Sequence, residues 1–306
     1  MSGLRFVVTE GAGVVPYAPS LRRLEESIRY PIADGADHFF IDHGEHYHPF
    51  FSTMGHAHFL LALRGDEVVG SVAGVVRDVR VAGREVRALY ICDLKVAAGE
   101  RGRGLARRML QHGLGQLLRR PALRACRLLY GAAMRGKKGD VMRTARGLNP
   151  LRLGGTDARL ALYFVPPARL AGLDVSRAPP PPRSPGIEFG PSPSAPFEAP
   201  GLCSTAGRKD LRLLSTGQPW PLVHLPLGPS AWGPSWGAWL RACGEVLVAR
   251  QPSATTCFAI DERLAEHVTW LAGEGIRPDT VCTVYSLAPL FLRGGAGWVH
   301  LPTSEI

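Results

Sequence analysis

Arginine and glycine alternate at Arg101-Gly102-Arg103-Gly104, and Leu105-Ala106 then open a helical apolar pattern. These residue types at this spacing suit the binding of a phosphate-bearing ligand. Gly102 and Gly104 lack a Cβ, so the chain can turn tightly and leave main-chain N–H groups open to an anion. The helix that follows adds its unpaired first-turn donors and the positive end of its dipole, and Arg101 and Arg103 add charge. Leu105, Met109, Leu110, Leu114, Leu117 and Leu118 recur at helical spacing, which predicts a helix packed on a sheet with its N-terminus open. Two phosphate motifs are excluded. A P-loop needs Lys-Ser/Thr after its last glycine, where Leu105-Ala106 stand, and a Rossmann fingerprint needs three glycines at G-x-G-x-x-G spacing with an acidic residue further on.

The segment entering the turn, Ala88 to Val96, reads as a strand and carries Tyr90, Cys92 and Asp93. All three carry titratable side chains. Strand alternation predicts Tyr90, Cys92, Leu94 and Val96 on one face and Ile91, Asp93 and Lys95 on the other. Each candidate also has a structural reading: Cys92 as a buried apolar residue, Asp93 as a carboxylate satisfied by local N–H groups or an Arg. Residues 38 to 58 hold six of the ten histidines, His38, His43, His46, His48, His56 and His58, with Asp37, Asp42 and Glu45 among them. Imidazole and carboxylate are ordinary ligands of zinc or iron, but the spacing matches no specific metal motif and Phe39, Phe40, Tyr47, Phe50 and Phe51 run through it. No metal is assigned on that basis.

The elements that must position these residues are regular. His58 to Leu63, a turn at Gly65-Asp66-Glu67, and Val68 to Val76 read as a hairpin, and Arg127 to Ala132 supplies a strand after the helix. This order, together with Gln/Arg-x-x-Gly-x-Gly/Ala matched by Arg101, Gly104 and Ala106, resembles the GNAT N-acetyltransferase superfamily. The resemblance covers roughly residues 1 to 165 and is densest from 57 to 132. It implies an α/β fold with a mixed sheet and acetyl-CoA or another acyl-CoA as co-substrate. By the same resemblance Leu94, Lys95 and Val96 line the pantetheine arm where the strand splays from its neighbour, and Arg101, Gly102, Arg103, Gly104, Leu105 and Ala106 hold the phosphates. The thioester carbonyl is expected beside a strand N–H near Val96 or Leu94, which would stabilise the oxyanion while an amine attacks directly. Tyr90 and Cys92 occupy positions where family members often carry Glu or His. The family's general-acid Tyr has no counterpart in Gly139 to Leu148, and the His-rich segment falls where the family builds its acceptor pocket.

At 306 residues and 45% hydrophobic the chain can bury two cores. Pro166-Pro167, Ala178 to Pro185 and Pro191 to Pro196 mark a connector, either a stiff spacer or a strap over the first domain. The expected division is a catalytic domain over 1–170, a Pro-rich connector over 171–200 and a degenerate GNAT-like domain over 201–306. That second half repeats the strand, helix, strand order at Pro221 to Leu227, Trp236 to Leu247 and Thr256 to Ile260. Its turn, Gly228 to Trp236, has prolines and Trp232 where the first has Arg and Gly, so it is not expected to bind CoA. Trp232, Trp236, Trp239, His224 and Tyr285 are candidates for lining an acceptor pocket there, or plain core.

The net charge of +10 comes almost wholly from Arg, since only Lys95, Lys137, Lys138 and Lys209 are Lys. No nucleic-acid motif accompanies it, and the Arg, Ala, Gly and Pro bias fits a GC-rich bacterial genome. Six scattered cysteines give neither a disulfide framework nor a zinc ribbon, and no signal peptide or membrane-length apolar run is present, so a cytoplasmic protein is expected. The reading is an acyl-CoA-dependent N-acyltransferase with an amine acceptor. The alternatives are an acyltransferase using a carrier-protein or tRNA donor, and a non-catalytic acyl-CoA sensor or interaction protein; oligomeric state is left open.

Overall fold

A computed structural model describes residues 3–32, 37–136, 139–140, 155–189, 202–225, 235–287 and 297–306. Lys137, Lys138, residues 141–148, the Pro191 to Pro196 run and residues 228–234 with Trp232 lie outside the described residues.

In chain order the strands are β1 (Leu4–Glu10), β2 (Tyr30–Ile32), β3 (Asp37–Asp42), β4 (His56–Arg64), β5 (Glu67–Val81), β6 (Arg84–Val96), β7 (Leu128–Gly136), β8 (Gly139–Asp140), β9 (Gly155–Val165), β10 (Ile187–Glu188), β11 (Asp210–Leu213), β12 (Leu222–His224), β13 (Thr255–Asp261), β14 (Thr280–Leu287) and β15 (Val299–His300). The α-helices are α1 (Ala18–Glu26), α2 (Pro49–Met54), α3 (Leu105–Arg119), α4 (Pro121–Arg124), α5 (Pro167–Ala171), α6 (Trp236–Arg250) and α7 (Ala265–Gly273).

The expected hairpin is β4–β5, turning at Gly65 with φ 62°. The β5–β6 hairpin closes through Ala82 and Gly83, both with positive φ, a primed turn whose twist matches that of the strands. One mixed sheet runs β1-β4-β5-β6-β7-β14-β9-β13-β12. Two βαβ units lie within it: β6 and β7 are parallel across α3, and β12 and β13 are parallel across α6. The two units have exchanged their next strands. β9, the next strand after the β7–β8 hairpin, pairs with β13, while β14 follows β13 yet pairs with β7, and the two exchanged strands pair with each other. The fold is therefore α/β, with one parallel strand–helix–strand unit in each half and a sheet that continues unbroken across them.

A small second sheet, β11-β3-β2, also joins the halves, with Asp210 to Leu213 paired to Asp42 to Phe39. The largest core lies between the main sheet and α1 and α2 and draws on both halves, from Leu21, Phe51 and Tyr90 to Leu160, Val284 and Leu301. The described part of the connector is a strap: β10 pairs with β5 and β15, and Phe189 stacks on Tyr130 with ring centroids 4.0 Å apart.

On the opposite face α3 presses Leu105 and Met109 onto Leu60, Ala62 and Val69. Its buried stripe continues through Gly113, whose Cα faces Leu60, to Leu117. Leu118, expected on that stripe, is 74% exposed because it sits about 100° around the helix from Leu117. Gly70 permits the close packing, since a Cβ there would lie 2.8 Å from the Met109 sulfur.

The expected face assignment of β6 needs one correction. Asp93 adopts φ 54° and the β5–β6 register shifts opposite it, between Ser71 and Ala73. The bulge adds a residue, so alternation restarts. Tyr90 and Cys92 face the α1–α2 core as expected, but Lys95 joins that face and Val96 turns to the α3 side.

Candidate active site

The turn between β6 and α3 is held from behind. Residues Ala98–Glu100 form a 3-10 turn, and the Glu100 carboxylate accepts from Arg64, with Nη2 at 2.8 Å and Nε at 2.9 Å. Gly102 and Gly104 have φ 75° and 76°, the left-handed region where glycine is at little cost. Gly104 is the N-cap of α3 and no side chain caps the helix. Space beside both glycines is open, with nothing within 4 Å of where a Cβ would stand. Arg101 folds back so that its Nε donates to the Val96 carbonyl at 3.1 Å, while Arg103, Arg107 and Arg108 ring the helix end in solvent. The result is a cationic cup of main-chain donors suited to a polyphosphate.

An opening leads into this cup. β6 and β7 pair only from Ala88↔Leu128 to Ile91↔Gly131. At the last pair the strands are so close that a Cβ on Gly131 would lie 2.9 Å from the Ile91 carbonyl. β7 pairs with β14 along its other edge, from Leu129 to Met134, whereas past Ile91 the residues Cys92, Lys95 and Val96 of β6 pair with β5 alone. One main-chain edge of β6 is thus left toward the gap, with Leu94 37% exposed beside it. Unpaired strand edges of this kind accept an extended ligand.

Under the gap the bulge sits on a buried ionic cluster. Lys95 Nζ donates to Glu25 Oε1 at 3.0 Å and to Asp93 Oδ1, the Tyr47 hydroxyl donates to Asp93 Oδ2, and His43 Nδ1 lies 2.5 Å from Glu25 Oε1. Burial works against the Asp93 carboxylate, but the Lys95 ammonium outweighs it and holds the pKa at about 2. Lys95 is raised in return: its own desolvation is outweighed by Asp93 and Glu25. The cluster fixes the bulge electrostatically, and its ammonium is not a base near neutral pH.

Residues 36–134 match the family model of an acetyltransferase (GNAT) domain. Over this stretch, about a third of the chain, the sequence is similar to a GNAT domain. No curated protein sequence matches the chain. Among solved structures, a tandem GNAT protein from the clavulanic acid biosynthesis pathway, determined without acetyl-CoA, is similar over 96% of this chain and 100% of its own, with TM-score 0.50 and 11% identity. That likeness is one of fold. A conserved protein of Enterococcus faecalis V583 is similar over 92% of this chain and 72% of its own at TM-score 0.45 and 10% identity. A GNAT family N-acetyltransferase of Escherichia coli in complex with CoA covers 43% of this chain and 64% of its own, at TM-score 0.28 and 19% identity.

Within this stretch the side chains expected to move protons are enclosed. Tyr90 is fully buried, donates to the Glu305 carbonyl at 2.7 Å and stacks on Tyr130, and burial drives its phenol well above its ordinary pKa. Cys92 is raised for the same reason, by burial and then by the charge of Asp93. His224, Trp236 and Tyr285 are buried, with Trp236 packed on Trp270 and His224 Nδ1 3.0 Å from the Thr303 hydroxyl; Trp239 is half-buried.

Sequence reasoning passed over Lys209. It precedes β11, and its Nζ donates to the main-chain oxygen of Ile306 and sits 4.8 Å from the centre of the Phe50 ring. Desolvation lowers its pKa to about 8, against the opposing pull of Asp93 and Cys92 nearby. It also lines a cleft of about 310 Å³ with Thr205, Asp210, Gln218, Trp220 and Gln251. One signal was available: in a chain whose cations are nearly all Arg, which stays protonated, Lys is the titratable exception. Both described lysines stand beside the bulge.

Proposed function

We propose that this protein is an acyl-CoA-dependent N-acyltransferase whose second half completes the acceptor side of the site. The observation that carries the reading is the gap between β6 and β7 beyond Ile91 and Gly131, which runs directly into the glycine turn at the start of α3. Acyl-CoA supplies an activated thioester. Residues Arg101 to Ala106 hold its pyrophosphate, and the main chain of Leu94, Lys95 and Val96 pairs with the arm. A strand N–H at the bulge would stabilise the negative charge developing on the carbonyl oxygen.

Lys209 is the group we assign to the proton. As a neutral amine it takes the proton lost by the acceptor nitrogen as the C–N bond forms and the C–S bond breaks, and the thiolate leaves to be protonated. The cleft beside it is the proposed acceptor entrance. Asp93 shapes the bulge rather than exchanging protons, and Tyr90 and Cys92 are packing residues. The division into two GNAT-like halves belongs to the same proposal, each half being completed by a strand of the other.

The test is thiol release from acetyl-CoA and a longer acyl-CoA with a panel of amines, and mass spectrometry of the products. One thiol should appear per N-acylated amine. Lys209→Met should lower kcat by about a hundredfold or more, the usual scale of losing a general base. Bound thioester that no amine consumes would favour a sensor, and acyl groups accepted only from a carrier protein or tRNA would favour the other donors.

A further inference from the structure

The histidine-rich segment leaves one constellation that acyl transfer does not use. β1 and β4 pair with Glu10 opposite His58, and His56 and His58, two residues apart on β4, point to the same face. Glu10 Oε2 lies 3.2 Å from His56 Nε2, and Glu10 Oε1 lies 3.3 Å from His58 Nδ1. One ligand atom from each of the three falls within 4.8 Å of the others. A tetrahedral zinc ion with bonds of 2.0–2.2 Å holds neighbouring ligand atoms about 3.3–3.6 Å apart, and each oxygen of the carboxylate lies near that distance from one imidazole nitrogen.

One further observation points to a ligand. His58 is 7% exposed, yet neither ring nitrogen makes a well-formed hydrogen bond: Nδ1 has only the long approach to Glu10, and Nε2 has no partner among the described residues. Buried imidazoles are ordinarily satisfied. Arg120 Nη1 from the far end of α3 bonds to Glu10 Oε1 from outside and leaves Oε2 facing His56. The second trio able to ligate, Glu25, His43 and Asp93, differs because the Lys95 ammonium already fills it.

We propose that Glu10, His56 and His58 form a binding site for a zinc-like divalent cation, with a fourth position open to solvent. The site lies at the opposite end of β4 from Arg64, which clasps the glycine turn, so it is separate from the acyl-transfer site. A cation there ties the edge strand β1 to β4 and, through Arg120, to the end of α3.

The test is calorimetric titration of zinc into the chelator-treated full-length protein, with thermal melts in parallel. One equivalent should bind at micromolar Kd or tighter and raise Tm. His56→Ala, which removes an exposed side chain, and Glu10→Gln should each weaken uptake by about tenfold or more and cancel the Tm rise. Acetyl-CoA binding measured on the same samples should be unchanged and reports that the variants are folded. A wild-type protein that takes up no zinc at tens of micromolar, or uptake indifferent to both substitutions, would overturn the proposal.

Discussion

Lys95, Glu25 and Asp93 meet beneath the bulge of β6 with Lys209 nearby, and their charges decide what each can do. Lys95 is enclosed between Glu25 and Asp93, so removing it strands two buried carboxylates. Breaking a buried pair from one side costs about 3–5 kcal/mol, and Lys95→Met should lose that much in a denaturant titration. Asp93 shows the sign of the pH effect. Its folded pKa lies below its unfolded one, so it stabilises the protein above about pH 4 and that contribution disappears as pH falls toward 2. Lys209 differs because its neighbours do not offset its desolvation. If it is the base, kcat must rise through pH 8 as the ammonium loses its proton, and Lys209→Arg, charged at every accessible pH, should abolish that rise. A profile that keeps its limb in the Arg variant would reassign the base. Sequence spacing pointed to Asp93 but not to its partners, since Glu25, His43, Tyr47 and Lys209 reach it only through the fold.

The element that makes the site is a pair of parallel strands that stop pairing. Gly131 stands at the point of divergence, where its missing side chain lets one edge of β7 touch the Ile91 carbonyl while the other edge pairs with β14. Gly131→Val should push the strands apart one pair early, lowering Tm and weakening acyl-CoA binding together. An unchanged affinity would mean that the gap does not hold the arm. Most of this element was legible beforehand: strand, glycine turn and helix stand where the apolar pattern and the missing Cβ atoms put them. The bulge was not legible, because alternation carries no mark for an inserted residue and Asp93 at φ 54° is held by tertiary partners rather than by local preference. Leu118 misled for a related reason, as only packing shows which edge of a wide apolar stripe meets the sheet.

At the scale of the molecule the halves cannot be taken apart without tearing a sheet. β14 lies between β7 and β9, and residues 303–306 carry the chain from the second half to the first. There the Thr303 hydroxyl bonds to the Cys257 carbonyl at 3.0 Å, and Glu305 pairs with Arg77 at 2.7 Å. Unfolding should therefore be one transition by calorimetry and by fluorescence, and two separated transitions would contradict the interlock. Acid should weaken this junction. Burial lowers His224 to about 3, so between roughly pH 6.5 and 3 the unfolded chain binds the proton that the folded one refuses, and stability falls as pH falls. The shift corresponds to on the order of 4 to 5 kcal/mol, and His224→Gln should flatten that part of the pH curve. The strand, helix and strand of each parallel unit were legible in the sequence. The exchange was not, because β9 and β14 are equally apolar and nothing local says which neighbour each will choose.

The central claim is that the turn from Arg101 to Ala106 is a pyrophosphate site in working form, and calorimetry with acetyl-CoA tests it most directly. Wild-type protein should bind one equivalent. Gly104→Trp, whose side chain would project into open space at the helix N-terminus rather than into the core, should remain folded by circular dichroism and lose about a hundredfold in affinity. No binding by the wild type, or equal binding by the folded variant, would contradict the account.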